Sequence, residues 1–145
     1  MTELKQAGRG KKLFQEDWVM RQIESIVDFL IVAVLHKEKN GIQFVFEQKN
    51  ETEIDSLHEK LLQLIREHRI NEAEDLLFDH LNTEDRRYLE LAVDFYSRLN
   101  ALDNETLRAN DFSREEIEEG LKDIAQKFGI PLSDLFQSDS GEEGT

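Results

Sequence analysis

The chain has 145 residues, 32 acidic against 18 basic, a formal net charge of −14 and no cysteine. This length suits a single domain, because a chain of this size buries roughly 68–70% of its unfolded surface without staples. The lack of cysteine excludes disulfides, thiolate zinc sites and cysteine nucleophiles and suits a cytoplasmic setting, while the acidic field repels phosphate backbones and argues against a nucleic-acid partner.

Residues 1–13 carry Lys5, Arg9, Lys11 and Lys12 and read as a flexible basic arm. From Phe14 to Leu35 the pattern is helical. Val19, Ile23, Ile26, Val27, Leu30, Ala33 and Val34 share one arc of the wheel, with Asp17, Arg21, Glu24 and Asp28 opposite. The polar strip stops after Asp28, so Phe29, Val32 and Leu35 ask for cover on a further side. A homodimer through this far end is one answer. A central position for the helix, wrapped by the rest of the chain, is the other. The uninterrupted apolar run, Phe29 to Leu35, is far short of the ~18–20 residues needed to span a membrane. Charged residues between the lysines and that run also argue against a secretory leader.

Gly41 offers a helix exit. Ile42, Phe44 and Phe46 alternate with Gln43, Val45 and Glu47 and suggest an extended strap on the core or a strand paired across a dimer; Gln48 to Thr52 reads as a loop. A second helix follows over Glu53 to Glu67, with Ile54, Leu57, Leu61, Leu62, Leu64 and Ile65 on one side. Asn71, three residues before Glu74, has capping-box spacing and opens a short helix bearing Ala73, Leu76, Leu77 and Leu81. The connection is so short that the two helices must be antiparallel neighbours. Glu84 to Leu102 forms a further amphipathic helix with Tyr88, Leu91, Ala92, Phe95, Leu99 and Leu102, and Asn104 to Asn110 a brief helical turn. Ser113 and Glu116 make a second capping box with Phe112 as its staple on Ile117, and Ile117, Leu121, Ile124, Ala125 and Phe128 form the stripe of a last helix. Gly129 and Pro131 end it. Leu132, Leu135 and Phe136 can fold back, and residues 138–145 read as a disordered acidic tail, leaving 14–137 as one helical domain.

Leu57, His58, Leu61, Leu62, Ile65 and His68 recur 34 residues later as Leu91, Ala92, Phe95, Tyr96, Leu99 and Leu102, and this is the tetratricopeptide period. The stretch Leu61 to Leu81 resembles one such repeat, with Ala73 and Leu77 at the small and large packing positions of its second helix. The repeat's glycine and closing proline are missing, so the resemblance is to one hairpin rather than an array. Asp17, Trp18, Val19, Met20, Arg21, Gln22, Ile23 and Glu24, followed by an apolar helix and an acidic helical remainder, resemble the opening of a family of uncharacterised small helical proteins from Gram-positive bacteria. That resemblance implies a bacterial helical protein and supplies no catalytic residue.

The expected fold is thus all-α, a bundle with a tetratricopeptide-like antiparallel hairpin packed around the long N-terminal helix. His58, His68 and His80 fall on apolar helix sides and are weak metal candidates, but His58 and His68 stand about 15 Å apart along a helix at ~1.5 Å per residue. Ordinary hydrogen-bonded histidines are the plainer reading, and no cofactor is implied. Carboxylate pairs such as Asp75 and Asp79 are most simply a solvated face. The favoured function is protein interaction or scaffolding, through Tyr88, Phe95 and Tyr96 on the helical groove and Phe29, Val32 and Leu35 at the end of the first helix. The alternative is a small metal-dependent or carboxylate-based enzyme.

Overall fold

The computed structural model describes residues 17–35 and 52–132, and all regular structure among them is helical. The first helix, α1, is described from residue 17 and is α-helical through residue 29. It then widens into a π-turn over Leu30–Val34, where the Leu35 N–H donates to the Leu30 carbonyl at 2.9 Å. A wider turn advances each residue through a smaller angle. Ile31 thereby joins Leu30 in the core and Leu35 packs at its edge, while Val32 stays outside. Arg86 Nη1 donates to the Val34 carbonyl at 3.1 Å and closes the helix end.

The remaining helices are α2 (Thr52–Arg66), α3 (Ile70–Asp79), α4 (Arg86–Asn100), α5 (Asn104–Ala109) and α6 (Arg114–Lys127). Thr52, expected in a loop, is helical. Three caps follow from local sequence: Asp85 accepts from Arg87 N, Asp103 from Thr106 N, and Ser113 with Glu116 closes the expected capping box. Phe112 and Ile117 are both buried beneath that box. At the other end of α6, Gly129 sits at φ 71°, a left-handed exit that favours glycine. The capping box expected at Asn71 does not form. The helix begins at Ile70, and Asn71 Nδ2 instead donates to the Asn110 carbonyl at 3.2 Å. Asn110 ties the α2–α3 turn to the end of α5 a second time, since its Oδ1 accepts from Ile70 N at 3.4 Å, while its Nδ2 holds its own side chain on α5 by donating to the Thr106 carbonyl at 2.8 Å.

The expectation that α1 is the central rod is corrected. Trp18 is 55% and Val32 49% exposed, whereas Leu91, Ala92, Val93, Asp94, Phe95 and Tyr96 of α4 are buried in succession. Six consecutive residues sweep more than a full helical turn, so α4 is covered all round. It packs on α2 and α6, α2 packs on α3, and the buried face of α1 completes the same core.

A tight contact in that core joins α4 and α6. Phe95 and Tyr96 meet edge to face, with ring centroids 5.0 Å apart. Tyr96 lies against Gly120 so tightly that a Cβ at 120 would collide with the phenol ring and its hydroxyl. A glycine inside a helix costs roughly 0.5–1 kcal/mol relative to alanine. Here it is the residue that lets the two helices meet.

Residues 1–16, 36–51 and 133–145 lie outside the described residues. With them lie the basic arm, the Ile42, Phe44 and Phe46 segment, Leu135, Phe136 and the acidic tail.

Candidate binding cleft

Three helices contribute to an open cleft of about 470 Å³. From α2 come Glu53, Ser56, Leu57 and Lys60, from α3 Leu76 and the adjoining His80, and from α4 Tyr88. Period and connection length explain the convergence. Positions 53, 56, 57 and 60 recur on one side of α2, and the short turn to α3 lays Leu76 and His80 beside them. Leu57 is buried, Leu76 and Tyr88 are half-buried, and Glu53, Ser56, Lys60 and His80 are exposed. The lining is therefore apolar at its base, with charges of both signs at its rim.

Burial pushes the Tyr88 phenol above its usual pKa, and the neighbouring Glu53 and Asp85 charges add to the rise. It remains a neutral hydroxyl, able to donate or accept. His80 Nδ1 lies 3.1 Å from the Leu76 carbonyl oxygen. A carbonyl only accepts, so Nδ1 is the donor in this contact.

A second hollow, of about 320 Å³, lies between α3 and α6 and is lined by Glu74, Asp75, Phe78, Glu116, Glu119, Gly120 and Asp123. The buried Tyr96 hydroxyl donates to Glu74 Oε2 at 2.5 Å. Desolvation raises the Glu74 pKa, the Tyr96 bond opposes it, and Glu116, Asp75 and Asp123 raise it further. The Tyr96 phenol is pushed far above its ordinary range, first by burial and then by Glu74. Glu74, expected as the return carboxylate of a capping box, is instead partly withdrawn from water beside Tyr96.

Two polar knots depend on residues that the fold brings together from separate elements. His58 Nε2 donates to Asp94 Oδ2 at 3.2 Å, and Arg98 Nε donates to the same oxygen at 2.7 Å. This joins α2 to α4 across 36 residues of sequence. Arg114, at the first position of α6, is buried, and its guanidinium donates to the Asn100 carbonyl, Asn100 Oδ1, the Leu102 carbonyl and Asn104 Oδ1. It thereby satisfies carbonyls left open at the end of α4.

The six expected partner-binding residues separate. Tyr88 lines the cleft, and Val32 is exposed on α1 with Phe29 and Leu35 half-buried beside it. Phe95 and Tyr96 are core residues. A partner cannot touch them in the folded protein, and their place in the expected site is corrected. The histidines have separate partners: His58 has Asp94, His80 has the Leu76 carbonyl, and His68, at φ 60°, has Asn110 Nδ2 facing its Nδ1 at 3.5 Å. Among the described residues no three or more histidine, aspartate or glutamate side chains are grouped so as to hold a metal ion. Nor is any described helix long and apolar enough to cross a membrane.

The model of a family described as a family of unknown function, DUF6483, matches residues 13–129. No curated protein and no solved structure matches the chain.

Proposed function

The chain belongs to the DUF6483 family of unknown function, a membership that carries no activity with it, and we propose that the protein is an interaction module whose cleft between α2, α3 and α4 takes a segment of a partner protein. One observation carries this reading: Leu57, Leu76 and Tyr88 converge from three helices onto one apolar base, ringed by Glu53, Lys60 and His80. An apolar base gives affinity, and a rim of both signs fixes register. The tetratricopeptide-like character of the α2–α3 hairpin supports it, since Ala73 and Leu77, at the small and large packing positions, are both fully buried. In repeats of that kind a helical hairpin and the helix after it form such a groove. With a net charge of −14, a partner segment that is basic around one apolar anchor is favoured over an acidic one.

A photo-reactive phenylalanine analogue in place of Tyr88, compared with one in place of the exposed Arg108, tests the reading in cells. A discrete adduct is expected at 88 and not at 108, and it should disappear when Lys60→Glu and Leu76→Arg are added while circular dichroism stays unchanged. Identical adducts at both positions, or one that survives both substitutions in a folded protein, would overturn it.

A second reading, a carboxylate-based enzyme, rests on Glu74, because a carboxyl whose pKa is raised by burial suits general acid work. It ranks below the first because the Tyr96 hydroxyl already engages that carboxylate inside the core packing.

A further inference from the structure

The outer side of α1 carries a pattern the cleft does not use. Trp18, Gln22, Ser25, Phe29 and Val32, of which Gln22 and Phe29 are half-buried and Phe29 also packs on the core, follow one another at spacings of four, three, four and three residues, the rhythm of a seam between two helices. The opposite side of α1 is locked into the core by Val19, Ile23, Ile26, Val27 and Leu30. The stripe is therefore held in a fixed geometry before anything binds it. Trp18 and Val32, at 55% and 49% exposure, are the large hydrophobics left exposed among the described residues. They stand at equal distances, seven residues, on either side of the small, exposed Ser25.

We propose that this stripe joins two copies of the chain in antiparallel fashion, with the two-fold axis at Ser25. Trp18 of one copy then covers Val32 of the other at both ends of the seam, and the small serine lets the helices approach at the middle. An interface of this type must be complementary to itself. The charges at its edge meet that condition. Arg21, which also bonds Asp17 at 2.8 Å on its own helix, stands four residues before Ser25, and the half-buried Asp28, likewise engaged within its own chain, stands three after it. In the antiparallel register Arg21 of each copy falls within one residue of Asp28 of the other, along the same edge of the seam, so the two-fold makes two attractive contacts. The sequence pattern alone points to the far end of the helix, with Phe29, Val32 and Leu35. Exposure moves the centre of the surface to Ser25 and brings in Trp18.

The full chain tests this cleanly, because it contains no cysteine and a single tryptophan. Light scattering should give twice the chain mass at high concentration, with Trp18 emission shifting to the red on dilution. Under mild oxidation Ser25→Cys should link to itself much faster than Glu115→Cys on exposed α6. Trp18→Cys should link to Val32→Cys in a mixture but not to itself. Val32→Glu, or Trp18→Glu should the first variant unfold, should give a helical monomer. A wild type that stays monomeric at high concentration would overturn the proposal, as would self-linking of Trp18→Cys, equal linking of Ser25→Cys and Glu115→Cys, or a dimer that survives both glutamate variants.

Discussion

α4 and α1 both carry aromatic and branched apolar side chains, but the chain treats them differently. α4 is covered all round from Leu91 to Tyr96, and even its one carboxylate in that stretch, Asp94, is only 1% exposed. α1 buries one side and shows Trp18 and Val32 on the other. The difference teaches that apolar content does not decide which helix is central. α4 can be central because its polar atoms find protein partners: Asp94 has His58 and Arg98, Tyr96 has Glu74, and Asn100 has Arg114. Buried polar groups are tolerated only when paired in this way. Nothing on the outer side of α1 demands that service.

If α4 is the central helix, truncating its core should be far more damaging than any change on the outer side of α1. Phe95→Ala is expected to cost about 3–5 kcal/mol, the range for deleting a buried aromatic side chain. Denaturant midpoints measure this, and a midpoint near wild type would put Phe95 on the surface. Asp94→Ala is expected to cost about 3 kcal/mol, because it strips the buried His58 and the Arg98 guanidinium of their shared carboxylate. His58→Ala combined with Asp94→Ala should cost less than the sum of the two singles, which a double-mutant cycle reads directly.

Gly120→Ala should destabilise by about 1–2 kcal/mol, since overpacking against Tyr96 at ~1–3 kcal/mol outweighs the ~1 kcal/mol that alanine gains in helix propensity. A stabilised variant would mean that α4 and α6 are farther apart than Tyr96 and Gly120 indicate. The smallest effect is expected at Glu74. Its folded pKa is raised above 4.5, so the native state holds that proton more tightly than the unfolded chain does. Its contribution therefore favours folding at low pH and is lost as pH rises through and above that value. Glu74→Gln keeps an acceptor for Tyr96 and removes the charge. Its midpoint should exceed that of wild type near neutral pH, and the gap should close as pH falls below about 4.5. A gap of the same size at every pH would show that the carboxyl is not held up by its surroundings.

Much of the helical outline was legible because its signals are local. Ser113 and Glu116 lie one helical turn apart, so their reciprocal bonds depend on nothing distant, and Gly129 with Pro131 ends α6 for equally local reasons. Asn71 and Glu74 carry the same spacing and misled, because Asn110 captures Asn71 and Tyr96 captures Glu74, both from remote parts of the chain. Phe95 and Tyr96 looked available to a partner because a single helical wheel allows one buried side, whereas α4 has α2 on one flank and α6 on another. Arg114 reads as a surface residue beside Glu115 and Glu116, and only the fold brings Asn100, Leu102 and Asn104 around its guanidinium. Of the cleft, Tyr88 was legible. Leu57, Leu76, Lys60 and His80 become neighbours only once α2, α3 and α4 are packed.

The contrast between α4 and α1 is tested most directly by thiol labelling of two single-cysteine variants, Val93→Cys and Val32→Cys, at concentrations too low for self-association. The fully buried position 93 is expected to react only as fast as the protein unfolds, while position 32 reacts at nearly the rate of a free peptide. Equal rapid labelling at both positions, or protection of position 32 in the dilute protein, would contradict a structure in which α4 is enclosed and the outer side of α1 is open.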